Sequence, residues 1–408
     1  MKSTKGDWGI KSALAQNTNQ ILANSVKLGG VLYANRPRKI IEIWSAGHGW
    51  TKLGGGTTSI ADDTAVYRTG YQGLRINATD ANCSARKDIA FDARANIGLD
   101  LYVEEASDIE CVSIFLDTTG SDMLRYFGYD YPGVSLRNGW NRILLSCYSF
   151  TMLGAESYDE LAGVNHVRIT LVRSGSNGAS VVLDRFYTSP LALAKGKVTL
   201  TFDDAYSNTY TVAKPILDTY GMSGVVYTIT NFVGTDTYMT LSQLQDLQEL
   251  GWDVSSHTKT HGYFISDNKT DEQIRDELAG SKNWLTANGF AKGARHFAAP
   301  GGEYNNHITN IIREYYATHR SIVGGDEPYP DINPYGLRVL LATNGSTADF
   351  INDSIDFAAA YHTWLILCFH LIVDPADAST KFSEAAFRTV IEHLASSDVD
   401  VVTMSDML

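Results

Sequence analysis

Val198-Thr199-Leu200-Thr201-Phe202-Asp203-Asp204 is a short apolar, strand-forming run that stops abruptly at two carboxylates. The same rhythm recurs to the end of the chain. Further apolar runs lie at 224–229, 252–255, 296–299, 337–341, 364–369 and 399–403. Helical patterns fall at 211–220, 241–250, 271–287, 306–316, 348–361 and 383–394. Continuous apolar strands in strict alternation with helices predict a parallel sheet covered by helices. Seven or eight such units in about 210 residues predict a small α/β barrel. The barrel unit is expected over residues 191–408.

Upstream the pattern is different. Between 36 and 190, short runs alternate with turn residues and no helices intervene. Val167, Ile169 and Leu171 alternate with Arg168, Thr170 and Val172, and Leu74 and Ile76 flank Arg75. Other strand-like runs are 97–103, 110–116 and 181–187, and 156–163 reads as a helical turn. Turns are marked by Gly54-Gly55-Gly56, Asn138-Gly139 and Ser176-Asn177-Gly178. This is the pattern of an all-β sandwich. The segments Asn138-Gly139-Trp140-Asn141-Arg142-Ile143 and Val181-Val182-Leu183-Asp184-Arg185 resemble carbohydrate-binding jelly rolls. Such a module either binds glycan through exposed aromatics or only spaces and stabilises its neighbour, and both readings stay open.

Residues 1–35 are rich in Ala, Asn and Gln. Leu14, Ile21 and Leu28 repeat every seven residues, as do Ile10, Asn17 and Asn24. A short a/d seam of this kind implies a homo-oligomer, a trimer in the first instance, whereas a peripheral helix is the plainer explanation. Met1 to Gly6 leads into no apolar core of a secretion signal, and no stretch approaches eighteen apolar residues, so neither a signal peptide nor a membrane span is expected. The net charge of −13 disfavours nucleic acid and anionic lipid as partners. Cys83, Cys111, Cys147 and Cys368 form no C-x-x-C pair, which excludes a cysteine zinc site; a disulfide among the first three stays open.

Groups that do chemistry on a β/α barrel sit just past the C-terminal ends of its strands. Here those ends are Asp203-Asp204, His257-Thr258-Lys259-Thr260-His261, Ala298-Ala299-Pro300-Gly301-Gly302 and His370. Each alone has an ordinary explanation. Asp204 could cap a helix, histidines four apart share one helical face, and a histidine after an apolar strand is often a satisfied core group. Together, one carboxylate and two imidazoles make a metal triad with open positions, and a further Asp and His make the acid/base pair that a hydrolase needs.

Thr201-Phe202-Asp203-Asp204, His257-Thr258-x-x-His261 and Leu367-Cys368-Phe369-His370, in this order, resemble the polysaccharide deacetylase family, also called NodB-homology or carbohydrate esterase family four. The resemblance implies a distorted (β/α)7 barrel with a divalent metal, zinc before Co2+, Ni2+ or Mn2+, that removes acetyl groups from a polysaccharide. It assigns the metal to Asp204, His257 and His261, the base to Asp203, the acid to His370 and an oxyanion-binding N–H to Gly301. Pro300 and Tyr304 become candidates for substrate contact. The arginine that commonly pairs with the base is replaced by Ala298, so Arg338 is the candidate to orient Asp203 from a later strand. The carboxylate that would orient His370 is open among Asp374, Asp326 and Asp331. The expected function is hydrolysis of N-acetyl, or O-acetyl, groups of an acetylated polysaccharide. The alternative is a glycan-binding phage or prophage tail-type structural protein with an inactive or accessory barrel, and a weaker third is a metal-dependent hydrolase of another bond. An extracellular or virion-associated setting is expected on the first two readings.

Overall fold

The computed structural model describes residues 39–408, apart from 45–48, 54–56, 70, 120–124, 156, 190–192 and 328–331. The heptad segment 1–35, and with it the expected trimer seam, lies outside the described residues, as does Asp331.

The N-terminal part consists of two six-stranded sheets, antiparallel throughout. One runs in the order Ser59–Asp63, Gly73–Ala78, Ala179–Ser189, Asn96–Val103, Gly139–Ser146, with Lys39–Ile43 added along Ala179–Ser189. The other runs Thr151–Leu153, Tyr126–Pro132, Ile109–Asp117, Val164–Arg173, Cys83–Phe91, Thr51–Leu53. The alternation read at 167–172 is real: Val167, Ile169 and Leu171 are buried while Arg168, Thr170 and Val172 are only partly so. Leu74, Leu99 and Val181 of the first sheet share one apolar cluster with Ile114, Phe127 and Ile169 of the second, so the two sheets close over a common core. The helical turn expected at 156–163 is a 3₁₀ turn, Tyr158–Gly163, closed by a capping box between Ser157 and Glu160. All four cysteines are free thiols.

The C-terminal part is built on an eight-stranded parallel sheet flanked by helices, with a separate two-stranded parallel pair, Leu371–Ile372 and Lys381–Phe382. Its path is Thr318–Arg320, His296–Ala298, Asp253–Ser256, Val225–Thr228, Gly196–Phe202, Trp364–Phe369, Leu340–Leu341. Val399–Val401 pairs with the start of Gly196–Phe202, while the end of that same strand pairs with Val225–Thr228. A single parallel bridge, Arg320 to Leu337, links one end of the path to the segment that enters Leu340–Leu341 at the other, so the sheet curls back toward itself. The run expected at 337–341 is therefore strand only at its end, and a three-residue strand, Thr318–Arg320, stands where no apolar run signals one.

Strand periodicity sorts the side chains. Leu365, Leu367 and Phe369 join Val198, Leu200 and Phe202 in the cluster under the helices, whereas Trp364, Ile366 and Cys368 belong to a second cluster built mainly from strands. The alternate positions, Thr199 and Thr201, follow the second set: the Thr199 hydroxyl accepts from the Trp364 indole at 2.9 Å. Continuing both alternations by one step brings Asp203 and His370 to the inner side at the sheet's C-terminal end.

The two parts are pinned together. Ser149 Oγ donates to Asp326 at 3.2 Å and accepts from Arg338 at 3.2 Å. Tyr158 packs edge-on against Phe357 and Tyr361. Among the described residues, no helix is long and apolar enough to cross a membrane.

Candidate active site

Asp204 Oδ1 lies 3.3 Å from His261 Nε2 and 3.5 Å from His257 Nε2. One ligand-type atom from each of the three falls within 4.8 Å of the others. The histidines do not share a helical face, as their spacing suggests. They flank a loop whose backbone turns sharply, with φ of 68° at Thr258 and 62° at His261. Asp204 is not a helix cap either, since the helical segment that follows begins at Ser207, three residues on.

Six non-glycine residues among those described have positive φ, and Asp204, Ala205, Thr258 and His261 are four of them. Each such conformation costs about 1–3 kcal/mol and persists where surrounding contacts over-determine it. For the β-branched Thr258 it is a genuine outlier. The restraint is visible. Thr258 Oγ1 accepts the His261 N–H at 2.9 Å. Buried Glu277, on helix Asp271–Ala287, accepts the N–H groups of Lys259 and Thr260 at 3.0 and 2.9 Å and the Thr260 hydroxyl as well. His257 Nδ1 donates to the Ala298 carbonyl at 2.8 Å, which leaves the Nε2 lone pair toward Asp204.

The electrostatics favour a cation. Asp204 is 6% exposed, and its Oδ1 has no hydrogen-bond donor among the described residues. Burial opposes its ionisation, yet His261 and His257 outweigh burial and hold its carboxyl below the usual range. Burial keeps His257 low, and so neutral. A buried carboxylate oxygen facing two imidazole Nε2 atoms is the donor set of a divalent metal. The residues fit that group.

Asp203 stands beside this cluster, 4% exposed. Its Oδ2 accepts from Arg320 Nη2 at 2.5 Å and lies 4.0 Å from His370 Nε2, while its Oδ1 has no partner among the described residues. Burial would raise this carboxyl, but Arg320, His257 and His370 together pull it down to about 2. Arg338 does not orient Asp203. It pairs with Glu327 at 3.3 Å and lies over Tyr129 at the seam with the sandwich. The guanidinium that reaches Asp203 is that of Arg320, which is register-paired with Ala298 on the adjoining strand. An inward position on one strand and its lateral neighbour on the next point into the same space, so Arg320 fills the place that Ala298 leaves empty. Arg320 and Glu277 are the residues that sequence reading missed.

Gly301 and Gly302 both have positive φ, 60° and 66°. A Cβ on Gly301 would lie 2.4 Å from Tyr263 Cε1, and one on Gly302 would lie 2.5 Å from Ile322 Cγ1. Tyr263 is 39% exposed and stands edge-on to His261 at 5.5 Å. Tyr304, the expected substrate contact, instead packs inward, its ring 4.7 Å from that of His319, and Pro300 is buried. The exposed aromatic beside the cluster is Tyr263. His370 Nδ1 is buried with no partner among the described residues, so neither Asp326, whose Oδ1 accepts from Ser149, nor Asp374 is bonded to it.

The family model described as polysaccharide deacetylase matches residues 192–318. Those residues carry a polysaccharide deacetylase domain. The domain is similar to YxkH of Bacillus subtilis (strain 168), a polysaccharide deacetylase by assignment, with 32% identity over 108 residues, 26% of this chain. The chain spans 38% of that relative's length. Among solved structures, the Xyl-CE4 domain of a multidomain xylanase from the hindgut metagenome of Trinervitermes trinervoides is 21% identical, with 52% of this chain and 89% of that chain covered at a TM-score of 0.39. A family 4 acetyl xylan esterase from Clostridium thermocellum, in complex with a cobalt ion, is 19% identical, with coverages of 52% and 89% and a TM-score of 0.37. Asp203, Asp204, His257, His261 and the glycine turn all fall inside the deacetylase segment, whereas Arg320 and His370 lie beyond the matched residues.

Proposed function

We propose that this chain is a metal-dependent deacetylase that hydrolyses N-acetyl, or alternatively O-acetyl, groups of a polysaccharide. The observation that carries this reading is the pair of buried carboxylate oxygens, Asp203 Oδ1 and Asp204 Oδ1, without hydrogen-bond partners among the described residues and set beside two imidazoles and a guanidinium. Asp204, His257 and His261 hold the metal, with zinc first on its preference for nitrogen and carboxylate ligands in a three-residue set. When bound, such a cation would supply Lewis acidity and would lower the pKa of a water, and Asp203 is the carboxylate placed to serve as the base.

The chain's own residues do the rest. Arg320 keeps Asp203 ionised and occupies its Oδ2, leaving Oδ1 as the proton acceptor. His370 presents Nε2 to the same space and protonates the departing amine or alcohol, without which an amide nitrogen leaves poorly. The Gly301 N–H binds the developing oxyanion, and Tyr263 walls the acetylated sugar. The domain adopts a distorted (β/α)7 barrel, and the sandwich is a jelly-roll module of the carbohydrate-binding type. The polymer is met outside the cell or from a virion.

The test is acetate release by the purified full chain from peptidoglycan, chitin oligomers, poly-N-acetylglucosamine and acetyl xylan, with the metal content measured alongside. Release from at least one polymer is expected, with about one divalent ion per chain that is lost in His257→Ala/His261→Ala. A full metal complement in that variant would remove the triad.

A further inference from the structure

A groove of about 1000 Å³ lies between the sandwich and the start of helix Asn306–Tyr315. Its sandwich wall includes Trp140, with Arg68 above the ring at 4.6 Å and Tyr102 edge-on at 5.5 Å. Its barrel wall includes Asn306 and Asn310, one helical turn apart and so on one face of the helix. The seam that fixes the two walls is the packed one around Ser149, Arg338 and Tyr158.

The lining chooses among ligands. Arg68 and Arg137 are balanced by Glu105 and Glu110, so the groove has no net sign to attract an anionic polymer. Each carboxamide offers both a donor and an acceptor, which suits vicinal hydroxyl and acetamido groups. The guanidinium over an indole adds a planar surface with hydrogen-bonding edges, suited to a ligand that is apolar on its faces and polar at its rim. The volume is at the upper end of that of sites that enclose a sizeable ligand.

The groove also adjoins the site. Asn306 follows Gly301 by five residues, a length of chain that reaches no further than about 18 Å. Gly301 touches Tyr263, and Tyr263 touches His261. We propose that the groove binds the sugar units flanking the acetylated one in an uncharged, N-acetylated polysaccharide, so that sandwich and barrel grip a single polymer. This rests on the deacetylase reading of the barrel for what happens to the polymer, though not for whether it binds.

The test compares full-length wild type, Trp140→Ala and Asn306→Ala/Asn310→Ala by calorimetric binding of the N-acetylglucosamine hexasaccharide and of N-acetylglucosamine itself. Wild type is expected to bind the hexasaccharide about tenfold tighter than the monosaccharide, and both variants to lose most of that difference while monosaccharide binding stays the same. The double asparagine variant alters a partly exposed helix face, and it decides the matter should Trp140→Ala fail to fold. Equal hexasaccharide binding by wild type and the asparagine variant overturns the groove, as does a wild type with no preference for the longer chain. Groove-dependent binding without acetate release from any polymer keeps the groove and refutes the deacetylase instead.

Discussion

Two buried guanidinium–carboxylate pairs, Asp203–Arg320 at the barrel mouth and Glu327–Arg338 at the seam with the sandwich, are built from the same groups and come out opposite. Burial works against ionisation in both. At Asp203 the Arg320 charge and two imidazoles overcome it, and the carboxyl falls to about 2. At Glu327 burial wins over Arg338, with Asp326 adding repulsion, and the carboxyl is pushed up. The contacts differ in the same sense. Glu327 Oε1 accepts both the backbone N–H and Nε of Arg338, whose remaining reach goes to Ser149 and Tyr129. Asp203 keeps one oxygen without a hydrogen-bond partner among the described residues. One pair spends its hydrogen-bonding capacity on joining two parts of the fold, while the other keeps an oxygen in reserve for a ligand.

Asp203→Asn should break the comparison most severely. The amide keeps the shape and cannot take a proton, so acetate release should fall by about 10²–10⁴-fold with the metal content unchanged. Steady-state acetate release and elemental analysis check this, and wild-type turnover would strip Asp203 of its role. Next come the two arginines. Arg320→Met leaves Asp203 buried without its cation and should lower unfolding stability by about 3–5 kcal/mol along with turnover. Arg338→Met should cost a similar amount, about 3–5 kcal/mol, yet leave kcat per folded molecule intact. Denaturant unfolding read beside kcat separates the two, and an equal loss of kcat in both would mean that seam and site are one unit. The smallest effect is expected from Glu277→Gln, which weakens the hold on the Lys259 and Thr260 N–H groups. Metal affinity should drop by about 10–100-fold with kcat at saturating metal preserved, and unchanged affinity would make Glu277 a purely structural tether.

Arg320 shows why part of the site was hidden. Thr318–Arg320 is three residues long and contains Thr, His and Arg, with no apolar run to announce a strand. It is a strand because its neighbours supply the partners: His296–Ala298 on one side and Leu337 on the other. Arg338, by contrast, lies within the apolar run 337–341 and was the natural candidate, but local pattern does not say which side of the sheet it faces. Glu277 was hidden for a different reason: its spacing from the loop it holds, 17 and 18 residues, has no periodic signature. Tyr304 and Tyr263 exchanged places similarly, since exposure is settled by what packs above a turn. The conformation of the His257–His261 loop also went unread, because positive φ at Thr258 and His261 arises from tertiary contacts that oppose local preference.

By itself the sequence determined the β-rich first part, the alternation of strands and helices in the second, and the strand ends that carry Asp203, Asp204, His257, His261 and His370. Those follow from periodicities of two and 3.6 residues and from where apolar runs stop, which are local properties. Only the tertiary structure decided that Arg320 reaches Asp203, that Arg338 pins the seam, that Glu277 holds the histidine loop and that sandwich and barrel enclose a groove. Each of those depends on lateral register or on surfaces far apart in the chain, and no local pattern encodes which distant residue will stand opposite.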